Sequence, residues 1–149
     1  MKKAITFFSL LFFALGWASA QDVYFSGSHN GTGKIWKNNV LVYSLSDTVD
    51  ISIAAMQVTP ERNIYTAGHA ANSSLTYMQG HVWCNDSLAF EAGDNTAINS
   101  IVLQGDTWTA GGIGENVWGN TSGLVWQNGV ALYAYSDSTM SNQDRKSVV

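Results

Sequence analysis

The side chains best suited to chemistry are repeated aspartates, two histidines and a few aromatic residues that lie in polar segments. The three aspartates each follow a tryptophan by eleven residues and are Asp47, Asp94 and Asp137. The polar segments 28–32, 69–79 and 112–122 contain His29, His69, Tyr77 and Trp118. An exposed aromatic ring among Asn, Ser and Gly suits stacking on a sugar or on a partner's side chain. Paired carboxylates suit hydrolysis of a glycosidic bond.

Motifs for catalysis and metal binding are missing from the sequence. The histidines have neither the H-E-x-x-H spacing nor the Cys/His spacing of a zinc site. There is no G-x-S-x-G and no P-loop, and no helix is predicted after the glycine-rich stretch 111–114. The closest approach to a calcium loop, residues 47–50, lacks most of the required oxygen ligands. We therefore assign no catalytic residue, no metal and no cofactor, and expect the repeated aspartates to cap backbone N–H groups.

A threefold repeat positions these residues. The triplet W-x-N occurs at Trp36–Asn38, Trp83–Asn85 and Trp126–Asn128, and successive tryptophans are 47 and 43 residues apart. An aromatic-x-x-Gly segment precedes each triplet, at Tyr24–Gly27, Tyr65–Gly68 and Trp108–Gly111. A period of about 40 to 45 residues with four strands per unit is typical of a β-propeller blade.

Each unit is predicted to contain four strands. An apolar run forms the inner strand, aromatic-x-x-Gly ends the second, the stretch before W-x-N forms the third, and an aromatic-containing strand is outermost. The asparagine tolerates positive φ, which predicts a type I′ hairpin, and we expect the glycine to permit a close backbone approach. The predicted fold is all-β, with about three four-stranded antiparallel blades at 22–46, 51–92 and 98–136, in an incomplete or permuted propeller.

The first 20 residues have the pattern of a cleavable signal peptide. Two lysines follow Met1, an apolar run follows them, and Ala18–Ala20 forms an A-x-A cleavage site. The apolar run is shorter than the roughly 20 residues that span a bilayer. We therefore expect one exported domain over 21–149, secreted, periplasmic or at the cell surface, with no membrane span after cleavage. The single cysteine, Cys84, is expected to be a free thiol at a polar edge or to form an intermolecular bridge.

The charge of the chain argues against one class of partner. Without the signal peptide, five basic residues remain against eleven acidic ones. Binding of nucleic acid requires neutralisation of phosphates by Lys and Arg. We therefore expect no nucleic-acid partner.

The number of blades leaves two explanations open. Residues 23–27 correspond to the second strand of a blade, and residues 146–149 correspond to the beginning of an inner strand. Propellers usually close with four to eight blades, and an open array has unpaired edges. The sequence is therefore either a truncated piece of a longer propeller or a chain that forms a head-to-tail homo-oligomer.

The combination of aromatic-x-x-Gly, W-x-N and the inner-strand pattern I-x-S-I resembles tandem β-propeller repeats of secreted bacterial proteins, especially of Bacteroidetes type. The resemblance covers nearly all of 22–149 and departs from the kelch and WD40 patterns. It implies an architecture and an exported location, and a fold does not specify an activity.

The function that the polar loops favour is a non-catalytic module that binds a glycan or a protein through Trp118, Tyr77, His69 and His29. One alternative is a glycan-active hydrolase or lyase that uses Asp94 or Asp137 with His69. The other alternative is a structural fragment of a longer propeller.

Overall fold

The computed structural model describes residues 21–45, 49–71, 76–115 and 121–136. These residues form eleven strands and no helix. The strands are β1 Tyr24–His29, β2 Thr32–Lys37, β3 Val40–Leu45, β4 Val49–Val58, β5 Ile64–Ala71, β6 Met78–Cys84, β7 Ser87–Asp94, β8 Thr96–Gln104, β9 Thr107–Glu115, β10 Thr121–Gln127 and β11 Val130–Ser136.

Three antiparallel sheets follow one another along the chain. The first has the order β1-β2-β3, the second β4-β5-β6-β7 and the third β8-β9-β10-β11. The prediction of an all-β chain with three blade-like units is confirmed, and the first blade begins at what is the second strand of the others. Within the part of the chain described, no helix is long and apolar enough to cross a membrane.

The asparagine of each W-x-N triplet joins the turn between the third and outer strands to the start of the second strand, in the same way in all three blades. We call this link the blade closure. The side-chain carbonyl of the asparagine accepts a hydrogen bond from the backbone N–H that opens the second strand, and its own N–H donates to the carbonyl of that same residue. The side-chain bonds are Val23 N to Asn38 Oδ1, Ile64 N to Asn85 Oδ1 and Trp108 N to Asn128 Oδ1, each 2.9 Å. The backbone bonds are 2.9, 2.7 and 3.1 Å long. The sequence pattern predicted that these asparagines lie in a turn, but not that they bond to the start of the second strand.

The predicted turn conformation holds in two blades of three. All three asparagines have positive φ, between 46° and 59°. In the first and third blades the next residue, Asn39 or Gly129, also has positive φ, as a type I′ turn requires. In the second blade only Asn85 has positive φ and Asp86 does not. The type I′ prediction is therefore wrong for that blade, where the signs match a type II′ turn.

The glycine of the second strand lies inside the strand and not at its end. A Cβ atom on Gly68 would collide with the carbonyl oxygen of Ser52, and one on Gly112 with that of Ala97. Gly112 is thus the equivalent of Gly68 in the third blade. The prediction that Gly111 corresponds to Gly68 was wrong by one residue. A bulge in each inner strand brings the neighbouring backbone against this point, so only glycine fits there.

The sheets pack face to face, and each has two distinguishable faces. The tryptophan face carries Trp36, Trp83 or Trp126, and the aliphatic face carries the preceding residue, Ile35, Val82 or Val125. Trp83 packs with Leu45 of the first blade. Trp126 packs with Val82 of the second blade. The core therefore consists of two layers, each between the aliphatic face of one blade and the tryptophan face of the next.

The three tryptophans differ in burial for this reason. Trp83 is 2% exposed and Trp126 4% exposed. Trp36 is only half-buried and stacks on Phe25 with ring centroids 5.0 Å apart. Among the described strands, β1 and β2 pack on a neighbouring sheet at one side only, against β4.

We expect Trp83→Ala to lower the free energy of unfolding by roughly 3–5 kcal/mol, because it empties a buried site between two sheets. The matched variant Trp36→Ala removes the same ring from a half-buried site. In the monomer it should therefore lower the free energy of unfolding by clearly less than Trp83→Ala does. Equilibrium unfolding in urea at low protein concentration measures both. Equal losses would contradict the two-layer core.

Replacing Asn85 tests the blade closure. Asn85→Gly keeps the positive φ but leaves the Ile64 N–H without its side-chain acceptor, which should cost about 1–3 kcal/mol. Asn85→Asp keeps an acceptor oxygen at the same place and should cost less. Urea unfolding gives the energies, and hydrogen exchange at the Ile64 amide should accelerate in the glycine variant only. Equal effects of the two variants would show that the side-chain bond is unimportant.

Candidate functional site

The candidate residues that the structure describes lie at or near one end of the blades, which we call the loop end. Here the second strand of each blade finishes and the third begins, and the outer strand finishes and the next inner strand begins. His29 is the last residue of β1, Asp94 is the last of β7, and Tyr77 directly precedes β6. Asp47, Asp137 and Trp118 lie outside the described residues.

A cleft of about 210 Å³ opens at the loop end between the second and third blades. Both blades contribute to it, since Met78 opens β6, Asn95 lies between β7 and β8, and the remaining walls come from β8, β9 and β10. The cleft is lined by Met78, Asn95, Thr96, Ala97, Ile113, Gly114, Glu115 and Thr121. Its volume is below the roughly 300–1,000 Å³ of sites for drug-sized ligands, so it suits a single ring or one side chain.

Two polar residues of the cleft are fixed to each other. Asn95 is the single residue between β7 and β8 and has a φ of 54°. Its Nδ2 donates to Glu115 Oε2 at 2.7 Å, and Glu115 N donates to the Asn95 carbonyl at 3.2 Å. The carboxylate and the amide are thus held in a defined geometry before any ligand arrives, which lowers the entropy cost of binding.

The wall beneath these residues is held by Thr96. Its hydroxyl donates to the Gly93 carbonyl at 2.6 Å and accepts from Gly80 N at 2.7 Å. This one hydroxyl therefore connects β6 to the junction of β7 and β8. Close by, the Ser122 hydroxyl is 2% exposed and has no hydrogen-bond partner among the described residues.

Exposed apolar side chains stand at the mouth of the cleft. Met78 is 53% exposed and Ile113 is 47% exposed. Tyr77, next to Met78, is 44% exposed. The site thus combines an oriented carboxylate and amide with apolar surface.

Only part of the predicted site comes together. Tyr77 lies next to the cleft, whereas His29 lies on the first blade. His69 is paired with Gly80 between β5 and β6. Asp94 contacts Gln79, which precedes Gly80 in β6. Successive strand residues point to opposite faces, so His69 and Asp94 project from opposite faces of the second sheet. The structure therefore does not assemble this pair as an acid–base couple.

Asp94 also differs from its expected role. It ends β7 instead of lying in a loop. Its carboxylate accepts from the side chain of Gln79 at 2.9 Å, and among the described residues no backbone N–H donates to it. The same Gln79 amide lies 3.4 Å from Glu91 Oε1. Asp94 therefore ties β7 to β6 through side chains.

The sequence analysis missed His81, which is fully buried on the tryptophan face of the second blade. Its Nε2 lies 3.3 Å from Glu91 Oε2, its ring meets Trp83 edge-on, and its Nδ1 has no partner among the described residues. The signal was present, since His81 lies two residues before Trp83 and therefore shares its face. Burial lowers the pKa of His81 below its ordinary value of 6.5, and the hydrogen bond to Glu91 opposes this effect.

Cys84 is a free, half-buried thiol opposite Tyr65 in the register of β5 and β6. The hydrogen bond between the two side chains is the main cause that raises the pKa of Tyr65. The thiol therefore lies against a tyrosine in the layer between the second and third blades, and not at a purely polar edge.

Within the described ranges, no three His, Cys, Asp or Glu side chains are grouped so that they could hold a metal ion. Compared with protein-family models, with curated proteins and with solved structures, the chain matches none of them.

The buried imidazole predicts a pH dependence of stability. A histidine whose folded pKa is lowered stabilises the fold above its unfolded pKa, and this contribution is lost as the pH falls through the folded pKa. We therefore expect the melting temperature to decrease as the pH is lowered from 7.5 to below the ordinary value of 6.5. His81→Gln should flatten this dependence, whereas His29→Gln, at an exposed position, should keep it. Scanning calorimetry across this range measures both, and an unchanged slope in His81→Gln would contradict the assignment.

Proposed function

We propose that the protein is a non-catalytic binding module that contacts a glycan through the cleft between its second and third blades. One observation carries the proposal: a preorganised carboxylate and amide, Glu115 and Asn95, share a small cleft with exposed apolar side chains. A protein side chain is the second ligand class that this cleft would accept.

The chemistry of the cleft matches that of a sugar ring. Vicinal hydroxyls donate to a carboxylate and exchange bonds with an amide, and the C–H face of the ring packs on apolar side chains. Glu115 and Asn95 supply the first kind of contact, and Met78 and Ile113 the second. The cleft volume of about 210 Å³ suits one ring rather than a long oligosaccharide.

The architecture that goes with this function is an incomplete or permuted propeller of the exported bacterial type. Its support is the first sheet, to which the described residues contribute no counterpart of the inner strand of the other two sheets. A rigid array of blades with ligand contacts in its loops is a common arrangement for binding proteins. Export follows from the sequence pattern of residues 1–20, which lie outside the described residues.

The proposal is tested by binding to a panel of mono- and oligosaccharides, measured by glycan array and then by calorimetry. Glu115→Ala removes one charged hydrogen-bond acceptor, worth about 1.5–3 kcal/mol, and should weaken binding by roughly 10- to 100-fold. The matched control is Glu61→Ala, an exposed glutamate in the turn between β4 and β5 at the opposite end. It should bind as the wild type does.

Two further results decide the outcome. Trp118→Ala, in a segment outside the described residues, should weaken binding without lowering the melting temperature if the sequence prediction for this residue holds. Wild-type protein that binds no saccharide, or equal losses in Glu115→Ala and Glu61→Ala, would overturn the glycan proposal.

A further inference from the structure

The two blade interfaces of the chain are built from the same repeat positions. In each, the residue before the tryptophan is buried on the aliphatic face of one blade, as Ile35 and Val82 are at 0% exposure. The next blade covers it with its tryptophan face, where Trp83 and Trp126 are 2% and 4% exposed. In both interfaces of the chain, an aliphatic face thus packs on a tryptophan face and both become buried.

The first blade has a tryptophan face that is not covered in this way. Val23 is 62% exposed, although its equivalents Ile64 and Trp108 are 2% and 7% exposed. Phe25 is 42% exposed, although its equivalents Thr66 and Ala110 are both fully buried. Equivalence is fixed here by the asparagine bonds at Val23, Ile64 and Trp108, and not by sequence similarity.

The aliphatic face of the third blade is likewise not covered by another blade. Val125 is half-buried, whereas its equivalents in the first and second blades are fully buried. Val102 is 59% exposed and occupies the place of Gln57 in the second blade. Gln57 touches the following blade, since its Oε1 lies 3.4 Å from Leu103 N. Val102 thus stands where a further blade would make contact.

We propose that the occupant of both faces is a second copy of this chain, with the tryptophan face of the first blade packed on the aliphatic face of the partner's third blade. The argument is continuity with the two interfaces already in the chain. In the dimer each chain packs its tryptophan face on the partner's aliphatic face and its aliphatic face on the partner's tryptophan face, so the same contact is made twice and the twofold arrangement closes. Two copies contribute six blades, which falls within the four to eight that close a propeller ring, so the assembly ends at a dimer.

Exposed apolar positions at other places do not carry this argument. Leu41 is 48% exposed, but its equivalent Leu88 is 41% exposed in a blade with neighbours on both sides. That position therefore lies on the outer rim of every blade. Leu88 accordingly provides an apolar control position with an exposure close to that of Phe25.

The test is the mass in solution by light scattering after size exclusion, over a wide concentration range. The wild type should have twice the mass of one chain. Phe25→Asp, on the open tryptophan face, and Val102→Asp, on the open aliphatic face, should each raise the concentration needed for assembly at least tenfold. Leu88→Asp should assemble as the wild type does. Circular dichroism melts confirm that each variant is folded, and the two tested positions are exposed enough to accept aspartate.

A mixture of the two variants distinguishes contact between the two different faces from contact between two identical faces. Phe25→Asp keeps an intact aliphatic face and Val102→Asp keeps an intact tryptophan face, so an equimolar mixture restores one of the two contacts. The mixture should therefore assemble at a lower concentration than either variant alone. A monomeric wild type at every concentration would overturn the proposal, as would coverage of these faces by other segments of the same chain, seen as no mass change in any variant. A mixture that assembles no better than either variant alone would also overturn it.

Discussion

A sheet that is apolar on both faces is stable only when both faces are covered, and this constraint governs the whole structure. The second blade satisfies it, because the first and third blades pack on its two sides and bury Trp83 and Val82. The hydrophobic effect makes each such layer favourable in proportion to the apolar area removed from water. The terminal blades carry the same pattern of side chains and leave Phe25 and Val102 exposed. Because every repeat unit has two apolar faces, the first and third blades each keep one face on which a further blade can pack.

The repeat landmarks of the sequence predicted the architecture well. Tryptophan, asparagine and an aromatic in fixed order identified three units, and the bounds of most strands agree within a few residues, since local hydrophobic pattern decides them. The register of the glycine was not predictable. The aromatic pattern aligned Trp108 with Tyr65, whereas the asparagine bonds make Trp108 the equivalent of Ile64, so the glycine that corresponds to Gly68 is Gly112.

The candidate site was predictable only in its location. The sequence placed Tyr77 at the loop end, and the structure has it there, beside the cleft. Asn95 and Glu115 were missed because they are 20 residues apart and meet only when β8 and β9 pair. His69 and Asp94 seemed compatible as a couple by residue type, but the alternation of side chains along a strand sends them to opposite faces. Chemistry that depends on the register of strands is thus hidden from a single sequence.

The asparagine bonds have a consequence for the order in which the protein folds. They join residues only 15, 21 and 20 positions apart. Contacts this close in sequence have a low loop-closure cost and form early. Each blade can therefore fix the register of its strands through local contacts at a low entropic cost. The packing of one blade on the next joins residues farther apart in the chain, so we expect it to be the slower step and the one that makes the blades stable.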